Sequence, residues 1–530
     1  MTHIAEHRLL SLKENSAGSL LASINRGIER EALRVNNRGA LSTESHPHFL
    51  GSKLCHPFIT TDFSEAQLEL ITSVSQSISE TLEALDELHR FVYSGFGNEF
   101  LWPSSMPCDL SPNDDVPLAQ YGSSNLGKLK TSYRNGLGNR YGRSMQTICA
   151  VHYNFSLSDE FWQYHWDTEG SGEALKDFKS RRYFDLMRNF RRLSWLPIYL
   201  FGASPVVSES FIQGKQHRLQ KFDDVSLYAP FATSLRNGDL GYQSDTQASA
   251  IQICFNSLDN YVDTLVAAIT TPHLEYGRIG ARRGDEYLQV NTNILQAEAE
   301  FYSTIRAKCV PPPGANFLQE LKTKGVEYVE VRLLDVNPYL PLGIDASQIR
   351  FLDTLLVYCI LADSPVHDDR LCEAVQENVQ RAVYQGRDPS LLLDDDGENR
   401  SIKEWGSTLL EEMLPAARML DSVGGNNDHE TSLQEQQIRV TDSGATPSAQ
   451  ILADMKSNGR SFFEFATDKS REHKSHFQSR PIPESRLKWF NELAEESFVA
   501  QTRLEQSDTI GFDEYLENMM RGYFNLAGKA

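Results

Sequence analysis

Polar and apolar positions alternate along five segments of the chain, and each alternation predicts a β-strand with one apolar and one polar face. In Arg26–Asn36 a period of two puts Glu29 and Glu31 on one face. In Phe58–Val74 the same period groups Glu65, Gln67 and Glu69 opposite Ala66, Leu68 and Leu70, with Asp62 at the entrance. Within Thr147–Leu157, His152, Asn154 and Ser156 oppose Val151, Tyr153 and Phe155. Tyr287–Leu295 sets Gln289, Asn291 and Asn293 against Leu288, Val290 and Thr292, and Val326–Asn337 puts Tyr328, Glu330 and Arg332 on a common face.

A helical period starts after Ser77, where Ile78, Leu82, Leu85, Leu88 and Val92 recur and Ser77 with Glu80 fits a capping box. Further helices are predicted around 175–200, 257–269 and 347–362. Residues 101–145, rich in Pro, Gly, Ser and Asn, read as extended loops. Beyond about residue 363 the pattern changes to acidic helices with polar connectors, of which Gly424–Gln450 and Asp468–Ser485 are the most linker-like. Strands and helices without regular βαβ alternation predict an α+β fold with an antiparallel sheet.

Composition narrows the partners. With 530 residues, 40% hydrophobic and 23% charged, the chain can bury a sizeable core, and its length suggests two to four domains. A net charge of −21 argues against nucleic acid, whose phosphates need a basic footprint. Anionic substrates would then require local neutralisation by metal ions and placed arginines. The seven cysteines, scattered without a CxxC pair or zinc spacing, read as reduced thiols. The charged N-terminus lacks the apolar core of a signal peptide, and Leu193–Ala203, interrupted by Pro197, is too short for a membrane span.

The polar strand faces carry the candidate chemistry. Like carboxylates side by side are unfavourable unless a cation or facing arginines neutralise them, although a salt-bridged edge strand would show the same alternation. Oxygen ligands with one imidazole suit Mg²⁺ or Mn²⁺ rather than a thiolate zinc site. Arg134 and Arg236 lie in Gly/Asn-rich surroundings, where a planar fork can clamp phosphate or carboxylate or simply bridge surface charges. No Walker loop, GxGxxG or GxSxG occurs in the chain.

RGIEREALRVN (26–36), FITTDFSEAQLELIT (58–72), MQTICAVHYNFSL (145–157), YLFGASP (199–205), PFATSLRNGDLGY (230–242) and EYVEVRLLDVNPYLPLG (327–343) together resemble the proteobacterial type of glutamate–cysteine ligase. The resemblance implies a catalytic core over 17–363, with 364–530 a mostly helical flanking region. It also implies a glutamine-synthetase-like fold, a curved antiparallel sheet forming an open funnel with surrounding helices. Carried across residue by residue, it makes Glu29, Glu31, Asp62, Glu69, His152 and Glu330 metal ligands for Mg²⁺, with Mn²⁺ an alternative. Arg134 and Arg332 correspond to catalytic arginines near the transferred phosphate, and Arg236 to the residue that holds glutamate. Tyr133, Tyr242, Tyr302 and Phe63 correspond to the cysteine pocket, with Gln146 and Asn154 further substrate contacts. The implied reaction joins L-glutamate to L-cysteine through a γ-glutamyl phosphate at the expense of ATP, in the cytoplasm, with no nucleic acid, membrane or obligatory protein partner. A ligase with another amine acceptor, or a guanidino-kinase-like phosphotransferase, would share the phosphate and metal residues.

Overall fold

The computed structural model describes residues 6–14, 17–110, 115–170, 172–241, 251, 253–312 and 314–529. Seven strands form one sheet: β1 (Ile24–Val35), β2 (Ile59–Thr61), β3 (Gln67–Ile71), β4 (Phe100–Leu101), β5 (Val151–Leu157), β6 (Ile305–Lys308) and β7 (Tyr328–Leu334). Their spatial order is β6-β7-β5-β1-β3-β2, β4 pairs with the end of β1, and every pairing is antiparallel. The sheet is open and helices surround it, so the protein is α+β with a non-barrel antiparallel sheet.

One face of the sheet is buried against helices. On β1 this face carries Arg26, Ile28, Arg30, Ala32 and Arg34, all buried. Burying arginine needs a counter-charge. Arg26 finds it in Asp353 of the helix α1 (Ala346–Leu361): Nε and Nη2 lie 2.9 and 2.8 Å from Oδ2. Tyr153 of β5 donates to the other carboxylate oxygen at 2.5 Å. Two central strands are thereby tied to the helix layer through one fully buried carboxylate. The opposite face of β1, β3, β5 and β7 turns its carboxylates toward open space.

Several sequence expectations change in three dimensions. Phe58–Val74 is a hairpin rather than one strand, because the chain reverses between Thr61 and Gln67. Asp62 N–H donates to the Gln67 carbonyl at 3.0 Å, and the Ser64 hydroxyl accepts from Ala66 N–H at 3.1 Å. Short polar side chains of this kind close turns locally. Residues 101–145 contain the helix Asn125–Tyr141, whose N-terminus is capped by Ser124 accepting from Gly127 N–H at 3.1 Å. Tyr133 and Arg134 therefore project from a helix and not from a loop. Its glycines mark close approach: a Cβ on Gly127 would sit 2.3 Å from the Tyr121 carbonyl, and one on Gly136 2.0 Å from the Gln296 amide oxygen.

In Tyr287–Leu295 only Tyr287 pairs in a short two-stranded ladder, and the alternating polar residues staple backbone instead. Gln289 donates to the Tyr276 carbonyl at 2.8 Å, and Asn293 to that of Ile269 at 2.6 Å. At the helix Ile78–Gly95, Ser77 accepts from Glu80 N–H, but the Glu80 carboxylate turns to Ser75 at 2.7 Å, leaving the capping box half formed.

The two linker-like stretches are largely helical, running through Asp428–Thr441 and Pro447–Asn458, and through Phe462–Gln478 and Glu484–Ser507. Ion pairs offset their polarity: Lys469–Glu472 at 2.7 Å, Arg471–Asp468 at 3.4 Å and Arg480–Asp86 at 2.7 Å. Stacking of His89 on Phe477 and Phe91 on Phe490, at 5.0 and 4.7 Å, fastens these helices to the core. The cysteines depart from expectation at one pair. Cys254 and Cys372 form a disulfide with Cα atoms 6.0 Å apart across 118 residues of sequence, a proximity no spacing rule reveals. Among the described residues no helix is long and apolar enough to cross a membrane.

The Arg26–Asp353 pair yields the first prediction. Asp353→Asn leaves a buried guanidinium without its charge and should cost about 3–5 kcal/mol, whereas Tyr153→Phe, which removes one bond to the carboxylate, should cost about 1.5–3 kcal/mol. Urea denaturation followed by tryptophan fluorescence would show it. Coincident midpoints for wild type and Asp353→Asn would remove the pair from this role.

Candidate active site

Register decides which carboxylates meet. On the open face, β1 and β5 place Glu29 opposite His152, β5 and β7 place Asn154 opposite Glu330, and β1 and β3 place Glu31 opposite Glu69. The last is a like-charged cross-strand pair, an arrangement a sheet does not favour for stability. His152 is the hub. Its Nδ1 lies 3.2 Å from Glu29 and 3.5 Å from Glu330, and its Nε2 3.8 Å from Glu31. Asn154 donates to the second Glu29 oxygen at 2.9 Å, and Ala150 N–H to Glu31 at 2.7 Å.

Two overlapping ligand sets result. One donor atom each from Glu29, His152 and Glu330 lie within 4.8 Å of one another, and so do donors from Glu31, Glu69 and His152. Electrostatics separates the carboxylates. Burial, with Asp62 and Glu69 nearby, drives Glu31 well above the usual carboxylate range. Glu69 is pushed up to about 8 by burial and by Glu29 and Asp62. Glu330 goes the other way despite its burial, because Arg332 and Lys308 hold it ionised. Arg332 and Lys308 are 2.6 and 2.9 Å from its two oxygens. Burial and Arg332 lower the pKa of His152, which keeps the imidazole a neutral ligand. Carboxylate oxygens and one neutral imidazole, with Glu31 and Glu69 crowded until they retain protons, fit hard divalent cations such as Mg²⁺ or Mn²⁺.

This face forms the floor of a cavity of about 710 Å³. All six carboxylate and imidazole candidates line it, together with Tyr133, Arg134, Gln146, Tyr302 and Arg332. Arg134 is held by the Asp62 backbone carbonyl and lies 3.7 Å from its carboxylate. Gln146 donates to the Tyr302 hydroxyl at 3.2 Å. Other candidates stand behind the surface. Asn154 reaches the cluster through Glu29. Phe63 packs in a small separate cluster with Val116 and Leu137. Arg236 is fully buried, donates to the Arg332 carbonyl at 2.6 Å and lies 3.8 Å from Asp335. Tyr242 lies outside the described residues.

The cavity also has walls that the sequence reading missed. Tyr515, Asn518, Met519, Gly522 and Tyr523 of the helix Phe512–Leu526 line it, and the Tyr523 hydroxyl donates to Glu298 at 2.8 Å. Their spacing of three and four residues signals a helix face, but nothing in it names what the face meets. Lys130, Arg306 and Lys308 line the cavity as well. Arg306 and Lys308 alternate along β6, a strand too short to stand out by periodicity.

The raised Glu69 pKa gives a pH-dependent expectation. A carboxyl whose folded pKa exceeds its unfolded value destabilises progressively as pH rises from the unfolded value, about 4.3, to the folded value of about 8. Glu69→Gln removes the charge. In chelator-treated protein it should leave Tm nearly unchanged at pH 4, where Glu69 is mostly protonated both folded and unfolded, and raise it at pH 8.5, where the unfolded state is ionised and the folded state is penalised. A variant that melts below wild type at both values would contradict the electrostatic account.

Comparison with known proteins fits this geometry. The family model described as glutamate–cysteine ligase matches residues 9–382. A protein named glutamate–cysteine ligase from Alcanivorax borkumensis is 46% identical over 521 residues, spanning 97% of this chain and 99% of that one. Its namesake from Pseudomonas entomophila is 46% identical over 94% of each chain. Among solved structures, glutamate–cysteine ligase from Francisella tularensis in complex with AMP superposes with a TM-score of 0.89 at 34% identity, covering 96% of this chain and 99% of that one. A bifunctional glutathione synthetase from Pasteurella multocida matches with a TM-score of 0.69 at 25% identity, over 91% of this chain and 57% of its own. A core carrying the clustered carboxylates on one open sheet, and full-length relatives at this identity, lead to one conclusion: the chain belongs to the glutamate–cysteine ligase family.

Proposed function

We propose that the protein joins the γ-carboxyl of L-glutamate to the amine of L-cysteine, forming γ-glutamylcysteine, ADP and phosphate from ATP as the first step of glutathione biosynthesis. The observation that carries this reading is the pair of carboxylate–imidazole clusters facing Arg134 and Arg332 in one cavity with Tyr133 and Tyr302. A carboxylate does not acylate an amine at neutral pH, since oxide would have to leave. Transfer of the ATP γ-phosphoryl group to glutamate makes an acyl phosphate, and phosphate then leaves as the cysteine nitrogen attacks the carbonyl carbon. The AMP held by the Francisella relative supports a nucleotide in the same fold.

Each residue acts by position and charge. Glu29, His152 and Glu330, and Glu31, Glu69 and His152, with Asp62 at the edge, would hold Mg²⁺ or Mn²⁺, which when bound neutralises phosphate charge. Arg332 and Arg134 supply fixed positive charge where the phosphoryl group transfers. The family resemblance assigns Arg236 to the glutamate α-carboxylate; in its buried position behind Arg332 its charge favours ionised Glu31. Tyr133 and Tyr302, steadied by Gln146, form the cysteine side, to which the family resemblance adds Phe63 and Tyr242. Asn154 orients Glu29. The catalytic core is placed in 17–363, with the sheet as a glutamine-synthetase-like funnel, and 364–530 flanks it. Consumption of ATP and of a free thiol substrate favours the cytoplasm as its location.

The direct test is phosphate release across amino-acid pairs with ATP and magnesium. Release should require glutamate and cysteine together, and Glu29→Gln should lower turnover about 10- to 100-fold and shift the magnesium titration upward. Formation of a stable phosphorylated product from one substrate alone would indicate a phosphotransferase, and equal release with another amine a different ligase.

Arg236→Lys keeps charge and loses the planar fork, so the glutamate KM should rise about tenfold while the ATP KM moves little. A uniform fall of kcat with every KM unchanged would instead make Arg236 a support for Arg332.

A further inference from the structure

The acceptor cysteine carries an α-carboxylate that takes no part in the proposed reaction, and a strongly acidic site must neutralise it. This argument rests on the proposed function. Five cations among the described residues line the cavity: Lys130, Arg134, Arg306, Lys308 and Arg332. Arg332 and Lys308 are both committed to Glu330, and Arg134 to Asp62. Lys130 lies beside Arg134 and among the fields of Glu69 and Asp62, at the same end.

Arg306 is placed differently. It is 7% exposed, and its Nη2 donates only to backbone carbonyls, those of Ala299 at 2.8 Å and Phe301. No carboxylate among the described residues pairs with it, and its Nε is buried without a hydrogen-bond partner among them. The neighbouring acids are occupied by other donors. Glu300 accepts from Arg140 at 2.9 Å, Tyr141 at 2.7 Å and Gln296 N–H at 2.7 Å, and Glu298 from Tyr523 at 2.8 Å. Both carbonyls belong to the segment that leads into Tyr302, and the β6–β7 register sets Arg306 opposite Glu330. Glu330 feels the Arg306 charge, but its two oxygens are taken by Arg332 and Lys308.

A buried guanidinium that lines a cavity, with its Nε unpartnered and no carboxylate within ion-pair distance among the described residues, is a site for an anion, and a carboxylate matches its fork. We propose that Arg306 binds the α-carboxylate of the acceptor amino acid and so makes the enzyme select amino acids over simple amines.

Cysteamine keeps the thiol and amine of cysteine and lacks the carboxylate, so the test compares kcat/KM for the two acceptors, with glutamate and ATP saturating. Wild type should prefer cysteine by about 10- to 150-fold or more, the range of one charge-assisted hydrogen-bonded contact. Arg306→Gln should collapse most of that ratio through the cysteine KM, leave the cysteamine values nearly unchanged, and leave the KM of ATP and glutamate within about twofold. Arg306→Lys should restore part of the ratio. Equal use of both acceptors by wild type would overturn the proposal without any variant. A proportionate loss for both acceptors would overturn it by making Arg306 a clasp for residues 299–301, and a rise confined to the ATP KM would move it to the phosphates. Absence of phosphate release by wild type with glutamate and cysteine would reject the parent reading itself, a result recognisable before any variant is made.

Discussion

The structure depends on packing like charges side by side. Glu31 faces Glu69 across two strands, and Glu29, Glu330 and His152 converge beside them, on a face that a sheet would ordinarily fill with paired or apolar side chains. Buried carboxylates at these separations retain protons until a cation replaces them, which is why Glu69 is pushed up to about 8 while Glu330, paired with Arg332 and Lys308, stays ionised. The gradient from neutral to ionised across one surface is what the proposed binding of divalent cations and phosphate draws on, and it exists only because the backbone holds the groups together.

That restraint comes from the other side of the sheet. Arg26, Tyr153 and Asp353, all buried, tie β1 and β5 to the long apolar helix beneath them. Arg34, on the same face, reaches Glu99 at 2.8 Å and three backbone carbonyls, joining β1 to the loops around it. The two faces of β1 therefore do opposite work. One buries cations, Arg26 and Arg34 against carboxylates and Arg30 against the Glu31 carbonyl, and the other leaves anions short of partners and gains affinity for cations.

The cavity above the face is completed from far along the chain. The helix Asn125–Tyr141 contributes Tyr133 and Arg134, the segment after residue 296 contributes Tyr302, and Phe512–Leu526 closes the side through Tyr523 and Glu298. Small residues permit this assembly where elements cross. Gly136 lies where any side chain would meet Gln296, whose amide oxygen in turn accepts from Val290 N–H.

By itself the sequence determined what periodicity can encode. A period of two in β1, β5 and β7 put Glu29 with Glu31, His152 with Asn154, and Glu330 with Arg332, because side-chain direction along a strand is a local property. The α+β class followed from the same patterns, and the ordered motifs between residues 26 and 343 pointed to the family. Tertiary structure decided everything that needed a second segment. The turn that brings Asp62 back toward Glu69 interrupts an alternation that looks continuous. The helix around Tyr133 reads as loop because its glycines serve contacts with Tyr121 and Gln296 that no local rule contains. The Cys254–Cys372 bridge, the burial of Arg236 behind Arg332, and the wall formed by Tyr523 each join residues about a hundred or more positions apart. Periodicity records which way a side chain points. What it points at depends on where the rest of the chain has packed.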